Sequence, residues 1–518
     1  MSKSRILLAG AALFVTQICW SLSSPINSHE DETYHLASIW CSRGYDKQCE
    51  PLGFDNNGAE LVLIKVDVCR PQGVEGTKFR RLLIERDNVI CKQQKSENES
   101  LDSFSSSPNN FYETEEQVAA FISRGHHSNI YYSILHPFIF ENTATSVIAM
   151  RILNSMIFTV LFVLLLLVAT SKTQLSLLLG LLLTLIPLGI FLTTSVNVSG
   201  WAYTGCSFSW AFLYVLFESK RKLCLNTLFT LVGWLTASAL CISSRYDSII
   251  FLILTNAFVL LTKTCFKHDK TRVVKRFIGM ATLTTPFALW LLLPNFRDLV
   301  PELSQKSNSF SELILVFGNA VKLALSLPMQ VLGLGGPLWL DFRIPHLVFA
   351  SGVTLLALLF VELLRGQNRT IIRIVCLFFA IYFAICLSQT YTRREWFLPF
   401  YLIRTGWSYG GGGFSPRYIL PLFPFMVGMV VKLSNKTENL FKNPKLKSAL
   451  IITLGFTHAT SLYTVGTIFR NNPNWYWSNL EIGIDVFYFV GTSFFIIFLI
   501  LCFSQIAMDK KVELRLLA

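Results

Sequence analysis

Apolar residues along this chain gather into unbroken blocks of about twenty, instead of recurring at the three-to-four-residue period of a soluble amphipathic helix. That pattern marks membrane-crossing helices. The blocks predict about twelve spans. They run Ile6 to Leu22, Ser146 to Val168, Leu175 to Thr194, Cys206 to Phe217, Leu225 to Ile242, Ile249 to Thr264, Phe277 to Leu293, His346 to Leu364, Ile371 to Leu387, Tyr418 to Val431, Ala449 to Phe469 and Ile484 to Cys502. Between Ser311 and Trp339 a further apolar stretch carries Lys322, Pro328, Gly333, Gly335, Gly336 and Pro337, which suits a re-entrant or interfacial helix better than a crossing. The alternating short strands of an outer-membrane barrel are missing.

Polar positions dominate one long stretch, Ser23 to about Thr145, the only segment long enough to fold outside the bilayer. Within it Leu61 to Val68 reads as a strand, Ser96 to Asn110 as a Ser/Asn-rich loop, and Glu113 to Arg124 has helical spacing. The predicted organisation is a first helix in residues 1–22, an extracytoplasmic module in 23–145, and helices two to seven in 146–294. A re-entrant or interfacial segment in 295–345, helices eight to twelve in 346–506 and a cytoplasmic tail in 507–518 complete it. The first block follows a basic start and resembles a signal peptide in length, but no small-x-small site follows its core, so it is read as a retained span.

Composition supports the same picture: among 518 residues only 15% are charged and 52% hydrophobic, with a mean hydropathy of +0.49, against roughly 25% charged in soluble domains. This excludes a disordered or collagenous chain. The net charge of +13 would suggest nucleic acid in a soluble protein, but cytoplasmic loops collect Lys and Arg, so no nucleic-acid partner is expected. With the amino terminus inside, Lys220, Arg221, Lys222, Lys267, Lys270, Arg272, Lys275, Arg276, Lys432, Lys436, Lys442, Lys445, Lys447, Lys510 and Lys511 all fall on the cytoplasmic face. Both termini are then cytoplasmic and the module lies outside, as in a multi-pass protein of a bacterial inner membrane.

The external connections carry arginine instead: Arg245, Arg297, Arg343, Arg393, Arg394, Arg404, Arg417 and Arg470. A guanidinium binds phosphate or carboxylate in bidentate fashion, where lysine is a point charge; pairing with outer acids or lipid headgroups is the alternative use. His29, Glu30, Asp31, Glu32, Tyr34 and His35 form the densest titratable cluster, directly after the first span. In a cleft, crowding of like charges raises a carboxyl pKa toward the range of a general base; on an open loop the cluster is merely solvated. His126, His127 and His136 flank Tyr131 and Tyr132 without a metal-ligand spacing, so a divalent metal is possible but not predicted. The two tyrosines are read as interfacial anchors. Gly410 to Gly413 precede Arg417 and Tyr418, where a charge entering a span needs a partner. Trp339, Asp341 and Arg343 close the glycine-broken stretch. Cys41, Cys49, Cys69 and Cys91 in the module allow three disulfide pairings. Asn98-Glu99-Ser100 and Asn197-Val198-Ser199 are external sequons.

Asp31, Glu32 and His35 outside the first span, Tyr131 and Tyr132 before the second, Trp339, Leu340, Asp341 and Pro345 late in the chain, and Arg417, Tyr418 and Pro421 entering a late span occur in a recognisable order. Together they resemble a glycosyltransferase-C-like branch of predicted bacterial membrane proteins, DUF2142-like. Ser128 and Asn129 stand where such proteins often carry Pro-Pro, and Pro416 where a glycine commonly precedes Arg-Tyr. The resemblance implies an all-α polytopic fold with a small external domain. It also implies transfer of a sugar, with inversion, from a polyprenyl-phosphate donor to an extracytoplasmic glycan, lipid or protein acceptor. On that reading Asp31 is the base, Glu32 or His35 orients it, and Arg417, Arg393, Arg394 and Tyr418 meet the donor phosphate. Tyr131, Tyr132, Trp339 and Asp341 border the acceptor, and no metal is named. A transporter or flippase of lipid-linked sugars, or a non-catalytic assembly subunit, would share the spans. Transporters, however, tend to show related halves and mid-membrane charges, whereas here the charges cluster at one surface and no halves match.

Overall fold

A computed structural model describes residues 1–24, 32–45, 49–54, 60–65, 113–114, 117–122, 129–218, 225–265, 317, 383, 420–433, 444–468 and 484–504. The first helix, α1 (Lys3–Ser23), is followed in the module by α2 (Glu32–Trp40), strands β1 (Cys49–Phe54), β2 (Glu60–Lys65), β3 (Glu113–Thr114) and β4 (Gln117–Ile122), and the short α3 (Asn129–Leu135). The membrane part continues with α4 (Thr143–Val168), α5 (Ser171–Thr184), α6 (Ile190–Thr193), α7 (Val198–Glu218), α8 (Leu225–Ile242) and α9 (Tyr246–Cys265). After a 3-10 turn at Leu420–Leu422 come α10 (Phe423–Leu433), α11 (Pro444–Ile468) and α12 (Ile484–Ser504).

Among the described residues five helices are long and apolar enough to cross a membrane: α1, α4, α8, most of α11 and most of α12. Joining α5 to α6 makes six. Apart from Phe317 and Phe383, the predicted spans Phe277–Leu293, His346–Leu364 and Ile371–Leu387, and the segment Ser311–Trp339, lie outside the described residues.

The helix α4 shows why this is a membrane bundle. Its buried positions, Val147, Met150, Arg151, Asn154, Ser155, Phe158, Thr159, Phe162 and Leu165, follow the helical period, while Met156, Val160 and Leu167 on the opposite face are exposed. Polar side chains turn inward and apolar ones outward, the reverse of a soluble helix. Asn142 caps the helix, its Oδ1 accepting from the Thr145 amide at 2.8 Å. At the centre lies α7, buried continuously from Val198 to Val215. It packs chiefly on α8 and also on α9, while α1 is held between α4 and α12.

One predicted span differs in form. Leu175 to Thr194 is not one straight helix: a π-turn at Leu185–Gly189 separates α5 from α6, and the two are bent by 85°. Pro187 sits in that turn and, lacking an N–H and clashing with the preceding turn, breaks the ladder. Of the predicted span Tyr418 to Val431, the described residues form the 3-10 turn at Leu420–Leu422 and α10, 11 residues long. It crosses α5 closely: a Cβ on Gly180 would sit 2.6 Å from the Pro424 carbonyl oxygen. At this end Lys432 donates to Glu218 at 3.2 Å and to Thr173 at 2.8 Å, clasping α10, α7 and α5.

The polar segment contains an antiparallel sheet in the order β1-β2-β4-β3, so the module is not helical throughout. The predicted strand at Leu61 to Val68 corresponds to β2. Glu113 to Arg124, expected to be helical, instead supplies β3 and β4, with Glu60 opposite Ile122 and Lys65 opposite Gln117. Pairing with β2 satisfies the backbone of this short segment and overrides its helical spacing. A disulfide joins Cys41, just beyond α2, to Cys49 at the start of β1; Cys69 and Cys91 lie outside the described residues. Between them Gly44 adopts a positive φ of 105°, which glycine reaches without steric cost.

Candidate functional site at the module end of the bundle

The site is organised by an arginine inside a span. Arg151 lies about 12 Å along α4 from its first residue, fully buried. Its Nε and NH2 both donate to Glu32 Oε1, at 3.1 and 2.9 Å, and NH2 also donates to Oε2 at 2.8 Å. NH1 donates to the carbonyls of Ser21 and Ser24 at 3.0 and 2.6 Å. The guanidinium therefore ties the end of α1 to the start of α2, with the module chain entering the membrane part at this pair. Glu32 is equally enclosed; both oxygens are occupied and the Val196 amide donates to Oε1 at 3.4 Å. Charge-assisted bidentate contacts of this kind are strong and geometrically specific. A carboxylate so engaged fixes its neighbours in place and is poorly suited to take a proton from substrate.

Beside the pair stands a cluster of rings. Tyr131 packs edge-on against Trp201 at 4.8 Å between centroids and against Tyr132 at 5.4 Å, and His35 stacks on Tyr132 at 6.0 Å. His35 Nδ1 and the Tyr132 hydroxyl share a hydrogen bond of 3.1 Å. Trp201 Nε1 donates to Asn154 Oδ1 at 2.8 Å, and Asn154 Nδ2 donates to the Ser195 carbonyl at 2.7 Å. The Tyr131 hydroxyl is different: it is buried and makes no hydrogen bond of ordinary geometry among the described residues, although the Asn154 side chain lies close enough for a weak one. Burial, reinforced by Tyr132 and Glu32, pushes its pKa well above the usual phenol range, so it remains a neutral hydroxyl. A buried polar atom without a partner costs free energy unless something binds it.

Below this cluster polar contacts continue inward. Thr159 donates to Gln17 Oε1 at 2.8 Å, and Gln17 Nε2 donates to Thr193 at 3.0 Å. Farther along α1, Trp20 Nε1 donates to His458 Nε2 at 2.9 Å; an indole only donates, so the imidazole proton is on Nδ1.

Of the residues singled out in the sequence, the fold brings Glu32, His35, Tyr131 and Tyr132 together. Asp31, Arg393, Arg394, Arg417, Tyr418, Trp339 and Asp341 lie outside the described residues. Tyr131 and Tyr132 are corrected in one respect: both are almost wholly buried and serve as interior packing, not as exposed interfacial anchors, because α3 is tucked against α2. His136 is engaged through Nδ1, which donates to the Ile39 carbonyl at 2.9 Å. Among the described residues no group of three or more His, Cys, Asp or Glu side chains could hold a metal. The external sequon at Asn197 is also revised: its side chain is buried and caps α7, accepting from the Ser199 amide at 2.8 Å. Arg245 lies at this end too, donating to Ser199 Oγ at 3.1 Å.

Arg151, Asn154 and Trp201 were missed in the sequence. Arg151 is the only charged residue between Ser146 and Val168, and an ionisable residue within a span points to a functional or pairing role.

No curated protein and no solved structure matches the chain. A family model described as "Predicted membrane protein (DUF2142)" matches residues 13–426, from within α1 into α10, and so includes the Glu32–Arg151 pair and the ring cluster. The chain is therefore an integral, multi-pass membrane protein and belongs to the DUF2142 family.

Proposed function

We propose that this protein is a membrane glycosyltransferase that moves a sugar from a polyprenyl-phosphate donor to an acceptor on the extracytoplasmic face of a bacterial inner membrane, with both termini cytoplasmic. The observation that carries the reading is the buried Glu32–Arg151 pair. It anchors the residue next to Asp31 at the head of a membrane bundle, beside a cluster of aromatic rings and a neutral tyrosine hydroxyl whose polar neighbour among the described residues is Asn154. The rings, packed on one another, fix the position of the Tyr131 hydroxyl, and a hydroxyl donor suits a sugar hydroxyl. The Cys41–Cys49 disulfide at the same end fits an oxidising, non-cytoplasmic compartment.

In the proposed reaction an acceptor hydroxyl attacks the anomeric carbon and gives its proton to the Asp31 carboxylate. The bond from that carbon to the phosphate oxygen breaks with inversion, and the polyprenyl phosphate leaves. Glu32 acts through position. Arg417, with Arg393 or Arg394 and Tyr418, neutralises the departing phosphate, the contribution expected to be largest in such transfers. Trp339 and Asp341 would border the acceptor.

The test is purification of the full chain in detergent, identification of co-purifying lipid, and transfer assays with the Asp31→Asn variant. A bound polyprenyl-phosphate sugar and a variant that keeps the lipid but transfers at under a hundredth of the normal rate are expected. Undiminished transfer by Asp31→Asn would remove the mechanism. An extract holding only bulk phospholipid, with no transfer by the unaltered protein, would favour an assembly subunit.

A further inference from the structure

We propose that Cys206 and Cys241 form a disulfide that joins α7 to α8 at the end of the bundle carrying the candidate site; the inference stands independently of the proposed activity. Their sulfurs are 2.9 Å apart, closer than the roughly 3.5–4.0 Å at which even non-bonded carbons rest, and both side chains are buried. The approach is built by the backbone. A Cβ on Gly205 would sit 2.6 Å from the Ala237 carbonyl oxygen and 2.6 Å from the Cys241 amide nitrogen, so α7 and α8 touch at that level because the residue is glycine. The adjoining Cys206 then meets Cys241. Both thiols also share one acceptor, the Ser248 carbonyl, 3.1 Å from Cys241 Sγ and 3.8 Å from Cys206 Sγ. Thiols are weak donors, so little is lost when the protons leave.

A second observation fixes the redox setting. The module already holds the Cys41–Cys49 disulfide, and α7 begins beside the module, where the Val196 amide donates to Glu32. Cys206 lies about two turns into α7 from that point. Cys241 is at the matching end of α8, four residues before Arg245, which hydrogen-bonds Ser199 near the start of α7. Both pairs therefore belong to the end of the molecule that meets an oxidising compartment.

Forming the bond removes two protons and two electrons from the thiols. The acceptor is the disulfide of a thiol–disulfide oxidoreductase on that side, which exchanges through a mixed disulfide and departs as a dithiol. Because both sulfurs are enclosed in the folded bundle, the exchange precedes closure of α7 on α8. The finished bond then fixes the register that sets Arg245 against Ser199.

The test uses the full-length protein in isolated membranes. These are treated with copper–phenanthroline so that oxidant is not limiting, then denatured, blocked with N-ethylmaleimide without reductant, digested and analysed by mass spectrometry. The expected result is a peptide containing Cys206 linked to one containing Cys241. It should disappear on reduction and in a Cys241→Ser variant, whose Cys206 becomes labelled. N-ethylmaleimide on both Cys206 and Cys241 of the unaltered protein after that treatment would overturn the proposal.

Discussion

Replacing Arg151 with alanine tests whether the buried pair holds the site together. The substitution removes three hydrogen bonds to Glu32 and two to the Ser21 and Ser24 carbonyls. Glu32 keeps the Val196 amide contact at 3.4 Å. Its buried carboxylate loses the counter-charge of Arg151. Breaking a buried pair by removing one partner costs about 3–5 kcal/mol. At about 1.4 kcal/mol per tenfold, that is roughly two to three and a half powers of ten in the folded-to-unfolded ratio. Removing both charges, as in Arg151→Met with Glu32→Leu, should recover much of the loss, since apolar replacements of buried pairs are often neutral or better. The assay is a double-mutant cycle read by denaturation in detergent, with inactivation rates where unfolding is irreversible. Arg151→Ala and Glu32→Ala behaving additively, with coupling below about 0.5 kcal/mol, would refute the argument and reduce the pair to an incidental contact.

Two further outcomes follow from unusual polar atoms. Tyr131→Phe removes a buried hydroxyl that makes no hydrogen bond of ordinary geometry among the described residues, so melting should change little. If that hydroxyl serves a sugar, transfer should fall tenfold or more, and full activity would assign Tyr131 to packing alone. Trp20→Phe leaves His458 Nε2 without its donor and should cost about 1–3 kcal/mol, partly restored by His458→Leu in the same chain; a melting curve matching the parent would show that the contact contributes nothing.

The membrane spans were legible wherever one segment's composition decides the outcome: α1, α4, α8, α11 and α12 fall close to their apolar blocks. Block length alone did not reveal that Leu175 to Thr194 is broken, although Pro187 was a visible reason for it. Glu113 to Arg124 was misjudged because its strands depend on a partner, β2, about fifty residues earlier, and local spacing carries no information about that pairing. The site divides in the same way. Glu32, His35, Tyr131 and Tyr132 attract notice as local clusters, but Arg151 meets Glu32 across 119 residues, a relation no motif contains. Its isolation in an apolar run was the available signal. Sequence position likewise marks Asn197 as part of an external sequon, whereas burial depends on how α7 packs.

The arrangement of α1 sets an order of assembly. One flank of this first helix meets α4, which follows early in synthesis, while Thr16 and Cys19 on another meet Gly491 of α12, with Thr16 donating to the Gly491 carbonyl at 3.4 Å. Some 460 residues separate the end of α1 from the start of α12, which at about 5–20 residues per second is roughly half a minute to a minute and a half of translation. Through that interval the Thr16–Cys19 flank waits for its mate, and α1 is enclosed on that side only once α12 has been made.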